Sequence, residues 1–362
     1  MNPSTNTGPA SSGGSAAHGA AVECPGSETD TMRSMLYGQL LSSALYTCCE
    51  LGVVDLLGDR PRTAGELARA CGAHEPSLRR LLRSLAAFGV LAESPDGIFA
   101  VTPLGATLDS RSPASLHSTA LLAGRAVGAA WNGIGHTVRT GEPAFPHVHG
   151  EGFFDHLDAR PELRAAFDTS QERDVDRECE AIRAALGDIL DGTVVDVGGG
   201  DGALLAHLAD ARPGLSGVLV DLPAAAAAAE RRMRERGLAD RCVTVPGDFF
   251  SPLPEGDVYL LREILHDWDD ASCLRLLRNC RRAMGPRSRL AVVELLYGRE
   301  PGEDRTLPAL MDLYMMSLFS GGERDTEGFH SLITAAGLTL EAVRPLGGGK
   351  ALLLCRPADR RS

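Results

Sequence analysis

Val194-Val195-Asp196-Val197-Gly198-Gly199-Gly200-Asp201-Gly202, followed by the apolar helical run Ala203 to Ala211, is the stretch on which the reading of this chain turns. A short apolar strand enters a glycine loop and leaves it as a helix, the unit from which open α/β sheets are built. Working outward, apolar strands are expected near 193–197, 216–221, 241–245, 257–262 and 288–295, with helical stretches between them. That alternation predicts a parallel, doubly wound, Rossmann-like sheet. Helices are expected near 305–320 and 325–336, and Leu338 to Val343 and Ala351 to Cys355 then flank Gly347-Gly348-Gly349, predicting an antiparallel C-terminal hairpin.

Glycines 198 and 200 let a ligand approach the backbone closely. Gly198, Gly200 and Ala203 also fit the GxGxxG/A dinucleotide pattern, with Asp221 about 20 residues on. The acids choose between ligands. Asp196 and Asp201 would repel a pyrophosphate but favour a ligand carrying an ammonium and a sulfonium, as S-adenosylmethionine does. Asp221 ends the second strand, where a carboxylate can accept from both ribose hydroxyls; it is also placed to cap the helix that follows at Pro223, and the two roles are compatible. Gly247-Asp248-Phe249-Phe250 offers an acceptor for an adenine amino group beside an aromatic wall. His266 falls just past the carboxyl end of the fourth strand, the edge where open α/β sheets bind ligands.

The N-terminal half has a different rhythm. Residues 1 to 29 are small and polar and are expected to be a disordered tail. Met35 to Leu57 is so densely apolar that it predicts a buried helix suited to a dimer. Thr63 is placed to cap a helix ending near Cys71-Gly72, Pro76 starts the next, and Gly89 ends it. Val90 to Ala92 and Ile98 to Val101 then form a hairpin around Ser94-Pro95-Asp96-Gly97, so residues 30–110 read as a winged helix. Residues 111–187 read as a helical, pocket-forming region and 188–362 as the catalytic domain.

These 362 residues, 44% hydrophobic and 23% charged, suit a folded chain of about two domains. No run reaches the roughly 18 apolar residues of a membrane helix, and the first basic residue is Arg33, so a cytoplasmic protein without a signal peptide is expected. Nine cysteines with no CxxC pair argue for reduced packing thiols. The net charge of −12 opposes nucleic acid and anionic membrane. It also weakens one rival, a winged-helix DNA-binding regulator, despite six arginines against three acids over residues 59–90. An NAD-dependent oxidoreductase on the same sheet is the other rival. His147, His149 and His156 near Glu151 invite a metal reading, but the segment is glycine-rich and shows no supporting pattern, so no metal is expected.

With DVGGGDG at 196–202, DLP at 221–223, GDFF at 247–250, LREILHDWDD at 261–270, VVELL at 292–296 and GGER at 321–324, the chain resembles the small-molecule O-methyltransferases, which include plant caffeic acid and bacterial antibiotic-tailoring enzymes. The resemblance covers residues 33–356. It implies that Gly198, Asp221, Asp248, Phe249 and Arg262 contact S-adenosylmethionine, with Asp196, Gly200, Leu222 and Gly247 completing those motifs. It implies that His266 is the general base, with Glu294 and Glu323 flanking it, and that the winged-helix unit dimerises and walls the pocket. Arg262 stands where plant members usually carry lysine, Phe249 where they often carry methionine, and Asp325-Thr326 where Thr-Glu is usual. The acceptor is expected to be a phenolic hydroxyl of an aromatic natural product. Candidate pocket linings are Trp131, Phe154, Phe167, Trp268 and Met316, together with Phe153, Met311, Met315 and Phe319. Asp312 is expected either to meet a substrate hydroxyl or to face solvent.

Overall fold

In the C-terminal half, successive strand residues alternate between two apolar faces, and this alternation fixes the architecture. A computed structural model describes residues 27–58, 60–298 and 305–358. Its main sheet has seven strands: β4 (Thr193–Val197), β5 (Ser216–Asp221), β6 (Cys242–Pro246), β7 (Val258–Arg262), β8 (Arg289–Leu295), β9 (Leu338–Gly347) and β10 (Lys350–Pro357). The order is β6-β5-β4-β7-β8-β10-β9; the first five run parallel, and β10 pairs antiparallel with both β8 and β9. The expected doubly wound sheet and terminal hairpin are therefore present, with strand ends within a residue of expectation except that the hairpin strands run further.

Val194, Leu219, Leu260, Val293 and Leu352 pack on one face, with α11 (Pro161–Leu186), α12 (Ala203–Ala211) and α13 (Pro223–Glu235). Val195, Val220, Leu261, Val292 and Leu353 pack on the other, with α14 (Asp270–Ala283) and α16 (Thr326–Ala335). Burial on both faces explains why these strands read as nearly continuous apolar runs. Strand order reverses beside β4, which has β5 on one side and β7 on the other, so the crevice at the carboxyl ends of β4 and β7 is the topological switch point.

Upstream, β1 (Arg62–Thr63), β2 (Leu91–Glu93) and β3 (Ile98–Val101) form a small antiparallel sheet in the order β1-β3-β2. Between β1 and β2 lie α4 (Ala64–Cys71) and α5 (Glu75–Ala87). Thr63 and Glu66 make a reciprocal capping box on α4, which ends at left-handed Gly72, and Leu78, Leu82 and Leu85 bury one face of α5. The helix–turn–helix–hairpin order expected from the sequence is thus observed. Short helices follow: α6 (His117–Leu122), α7 (Gly128–Asn132), α8 (Ile134–Thr140), α9 (Ala144–His149) and α10 (Phe153–Asp158); α15 (Thr306–Leu318) lies between β8 and α16.

The single helix expected over 35–57 is not found. Three elements replace it: α1 (Glu28–Leu36), α2 (Gly38–Glu50) and α3 (Val53–Leu57), with left-handed Gly52 breaking the chain before α3. Residues up to Leu41 form one unit and those from Ser42 onward another. In the first, α1 is capped by Ser27, and Met35, Leu36 and Leu40 are exposed rather than buried. In the second, Cys48, Cys49, Val53, Val54 and Leu57 are buried. Of the expected disordered tail, residues 1–26 lie outside the described residues, while Glu28 and Thr29 belong to α1.

Leu260, fully buried in β7, gives a direct check on the sheet as the site's support. Leu260→Ala is expected to lower unfolding free energy by about 2–5 kcal/mol, read by urea denaturation.

Candidate active site

The segments that follow β4, β5, β6 and β7 carry the residues expected to form the site. Gly198, Gly200 and Gly202 all have positive φ, which lets the chain turn sharply between β4 and α12. A Cβ at Gly198 would lie 2.5 Å from the Ile264 side chain and one at Gly199 2.5 Å from the Asp196 carboxylate, whereas one at Gly200 would meet nothing within 4 Å. The loop is therefore packed on one side and open at Gly200.

Asp196 is buried and its Oδ2 has no hydrogen-bond partner. Burial and then the charge of Asp221 push its pKa up to about 7, against the nearby Arg262 guanidinium. Such a carboxylate is stabilised by an arriving cation. Asp201, read from the sequence as a second free acid, is instead paired with Arg232 at 2.5 Å, and Arg232 also bonds Glu172 at 2.7 Å. Asp221 accepts the Gly200 amide at 2.8 Å and the Leu222 amide at 2.6 Å, so it braces the glycine loop; Leu222 itself is exposed. The Gly247 amide donates to the Asp221 carbonyl, which brings the Asp248-Phe249 turn beside β5. Asp248 accepts the Phe250 amide at 2.8 Å, and Phe249 packs edge-on against Phe250 and Trp268. Arg262, expected to contact the cofactor, has its guanidinium engaged by Glu178 at 3.1 Å and Glu263 at 2.9 Å.

Beyond β7 a 3₁₀ turn, Leu265–Asp267, presents His266. Its Nδ1 lies 3.4 Å from Glu294 Oε2 and 3.3 Å from Glu323 Oε1, and its Nε2 lies 3.6 Å from Asp267 Oδ1. Glu294 Oε1 meanwhile accepts the amides of Ile264 (3.1 Å) and Leu265 (2.7 Å), so one buried carboxylate fixes the turn and sets its other oxygen against the ring. Burial opposes charge on His266, but Glu294, Glu323 and Asp267 outweigh it and raise its pKa to about 10. Burial pushes Glu294 and Asp267 each up to about 7 against the charge of His266.

The GGER segment wraps this turn. A Cβ on Gly321 would sit 2.0 Å from the His266 carbonyl oxygen, so only glycine allows the approach. Asp312 Oδ1 accepts the Glu323 amide at 2.9 Å. Through this oxygen Asp312 holds the loop that carries Glu323. Arg324 donates to the carbonyls of Leu265 (2.9 Å) and Trp268 (2.7 Å) and to the Asp270 carboxylate (3.0 Å). The sequence reading assigned no role to Arg324, Glu178, Asp267 or Lys350; Arg324 had a signal as the last letter of GGER and Asp267 as a member of LREILHDWDD, whereas Glu178 and Lys350 had none.

The expected pocket residues separate into two groups. Trp131, Phe154 and Phe167 share one cluster with Phe153, Tyr314 and Phe319. Trp268 lies elsewhere, against Phe249 and Phe250 on the face of the sheet that packs on α14 and α16. Met316 is half-buried on α15, and its neighbour Met315 is buried. The histidines near Glu151 do not converge on one point. His149 Nε2 meets the Ala126 carbonyl, His156 Nδ1 meets Glu151, and His147 stacks on His136. The basic face of α5 is partly neutralised, by Glu75 on Arg79 and Glu93 on Arg83.

A family model for the O-methyltransferase domain matches residues 131–339, and one for the O-methyltransferase dimerisation domain matches 34–111. Phenazine O-methyltransferase PhzM of Lysobacter antibioticus is 39% identical over 324 residues, which is 89% of this chain and 94% of the relative. The chain belongs to the O-methyltransferase family. Among solved structures, mitomycin 7-O-methyltransferase MmcR matches with a TM-score of 0.86 and 38% identity over 91% of this chain and 98% of that one. NcsB1, an O-methyltransferase from neocarzinostatin biosynthesis solved with S-adenosylmethionine and 2-hydroxy-5-methyl naphthoic acid, matches with a TM-score of 0.79 and 34% identity over 88% and 96%. The regulator and oxidoreductase readings gain no support from these O-methyltransferase relatives. No described helix is long and apolar enough to cross a membrane.

Gly321→Ala is expected to push the His266 turn off its carboxylates and lower kcat by about 100-fold. Circular dichroism should show the fold retained, because the clash is confined to two loops.

Proposed function

We propose that this O-methyltransferase moves a methyl group from S-adenosylmethionine to a phenolic hydroxyl of an aromatic natural product, with His266 as general base. The observation that carries the reading is the imidazole at the end of β7, with Nδ1 between Glu294 and Glu323 and Nε2 on the opposite side of the ring. The donor, when bound, supplies a methyl carried on a sulfonium. Asp196, uncompensated and buried, would face its ammonium; Asp221 would accept from its ribose; Phe249 and Asp248 would receive its adenine. Gly198, Gly200, Leu222 and Gly247 shape that cradle, and Arg262 borders it through Asp196. The residues present fit the donor because their uncompensated charge is negative.

The acceptor hydroxyl loses its proton to His266 Nε2, while Glu294 and Glu323 hold the ring and stabilise the imidazolium that forms. Trp131, Phe154, Phe167 and Met316 supply an apolar wall for a flat acceptor, with Trp268 nearer the adenine side. Residues 34–111 carry the dimerisation domain, and we read the protein as a cytoplasmic homodimer. We divide it into a dimerisation domain at 30–110, a helical pocket region at 111–187 and a catalytic domain from 188. The reaction needs no metal.

Methyl transfer is to be screened with hydroxynaphthoates, hydroxyphenazines and hydroxyquinones as acceptors. His266→Gln should lower kcat by about 10²- to 10⁴-fold while S-adenosylhomocysteine still binds by calorimetry; undiminished turnover would reject the base. The raised pKa of His266 also has a direction to test. A group with its pKa raised to about 10 is protonated in the free protein at neutral pH, so kcat/KM should climb as pH rises from 7. Glu323→Gln removes one of the carboxylates that raise it, so the ascending limb of the pH profile should move to lower pH.

A further inference from the structure

Among the described residues, Glu263 is the one non-glycine with positive φ, at 53°. A left-handed backbone is unfavourable for a residue with a Cβ, and it persists only where its surroundings over-determine it. Here the surroundings are a closed ring of four charges. Glu263 Oε1 meets Lys350 Nζ at 2.6 Å, Lys350 meets Glu178 at 2.5 Å, Glu178 meets Arg262 at 3.1 Å, and Arg262 returns to Glu263 at 2.9 Å. The four side chains are 9–17% exposed. They come from the end of β7, from α11 and from the first residue of β10. Although burial opposes its charge, Arg262 and Lys350 hold the Glu263 carboxyl down to about 2.

The turn at Glu263 decides where the next three residues go. Its own amide still bonds the Val293 carbonyl at 2.9 Å, in the register of β7 on β8. The following amides, of Ile264 and Leu265, already point at Glu294, and the next side chain is His266. We propose that Glu263 is a positioning residue: clamped between Arg262 and Lys350, its carboxylate holds the left-handed turn that sets His266 against Glu294 and Glu323. The inference rests on the reading of His266 as the base. The ring shares Arg262 with the border of the donor cradle, while Glu178 and Lys350 belong to neither the cradle nor the base, and it ties a helix and the terminal hairpin to the catalytic turn.

The test uses the full-length protein with 15N-labelled histidine and the best acceptor from the screen above. The His266 resonance, assigned by its absence in His266→Gln, is followed against pH beside kcat. Glu263→Val removes the carboxylate and disfavours the turn. It should move the His266 titration towards the ordinary imidazole range and lower kcat by about 10- to 100-fold. Glu263→Gly also removes the carboxylate but adopts a left-handed backbone freely, and should return kcat to within about threefold of wild type. Lys350→Met loosens the clamp with Glu263 in place and should shift the resonance in the same sense as Glu263→Val, which keeps the test open if the valine variant does not fold. An unmoved His266 titration and wild-type kcat in Glu263→Val or Lys350→Met would overturn the proposal, as would a glycine variant as impaired as valine. Full turnover by His266→Gln would instead remove the base reading, whatever the Glu263 variants do.

Discussion

A buried imidazole held between carboxylates is the constraint around which the catalytic half is built. In a low-dielectric interior, unbalanced charge is unfavourable and paired charge is strongly coupled. Glu294 is fully buried, and it is tolerated there because one oxygen accepts two backbone amides while the other faces His266. The same two amides belong to the turn that presents the histidine. Removing the turn would thus strand the carboxylate, and removing the carboxylate would release the turn. Glu323 reaches the ring from a loop, and a loop needs external fixing. Asp312 holds its amide, Arg324 ties it to two carbonyls of the histidine turn, and Gly321 lets the two backbones touch.

This charge arrangement bears directly on reactivity. A phenol with a pKa of about 10 and an ordinary histidine at about 6.5 differ by about 3.5 units, so full proton transfer would be uphill by roughly 5 kcal/mol. Three acids around His266 raise it to about 10, which closes most of that gap. The consequence is that the free protein holds an imidazolium at neutral pH. A cationic donor nearby would favour its neutral form, because two positive charges in one apolar cleft repel each other.

The sheet was legible in the sequence because its signal is redundant. The central strands β4, β5, β7 and β8 are short apolar runs, mostly ended by a glycine or acid, and residues on both of their faces are buried, so tertiary context had little to override. His266, Glu294 and Glu323 come from three segments separated in sequence, and they converge because their strand ends and loop share one edge. The N-terminal helix was misread because apolar density was taken for continuity. Gly52 takes the left-handed conformation that breaks it, and apolar residues 35–40 are exposed, which no periodicity reveals. Asp201 was misread as an unpaired acid for a physical reason. A carboxylate near a ligand loop reads as a ligand contact until its partner is known, and Arg232 is 31 residues from Asp201 in sequence. The ion ring was illegible for the same reason, since Lys350 lies 172 residues from Glu178.

The distribution of compensated and uncompensated acids is itself a map of where a cation belongs. Arg232 neutralises Asp201 and Glu172 on the outer side of the glycine loop. Arg262 and Lys350 neutralise Glu178 and Glu263 beneath α11. What remains is Asp196 with an unpartnered oxygen, Asp221 met by two backbone amides, and the excess of carboxylate around His266. They lie on the rim formed by the carboxyl ends of β4, β5, β7 and β8, with Glu323 reaching it from the loop before α16. A dinucleotide pyrophosphate would meet negative charge at each of these points, whereas a ligand with an ammonium and a sulfonium would relieve it at two. The glycine pattern alone fits both ligands; the pairing of the surrounding arginines and lysine is what separates them.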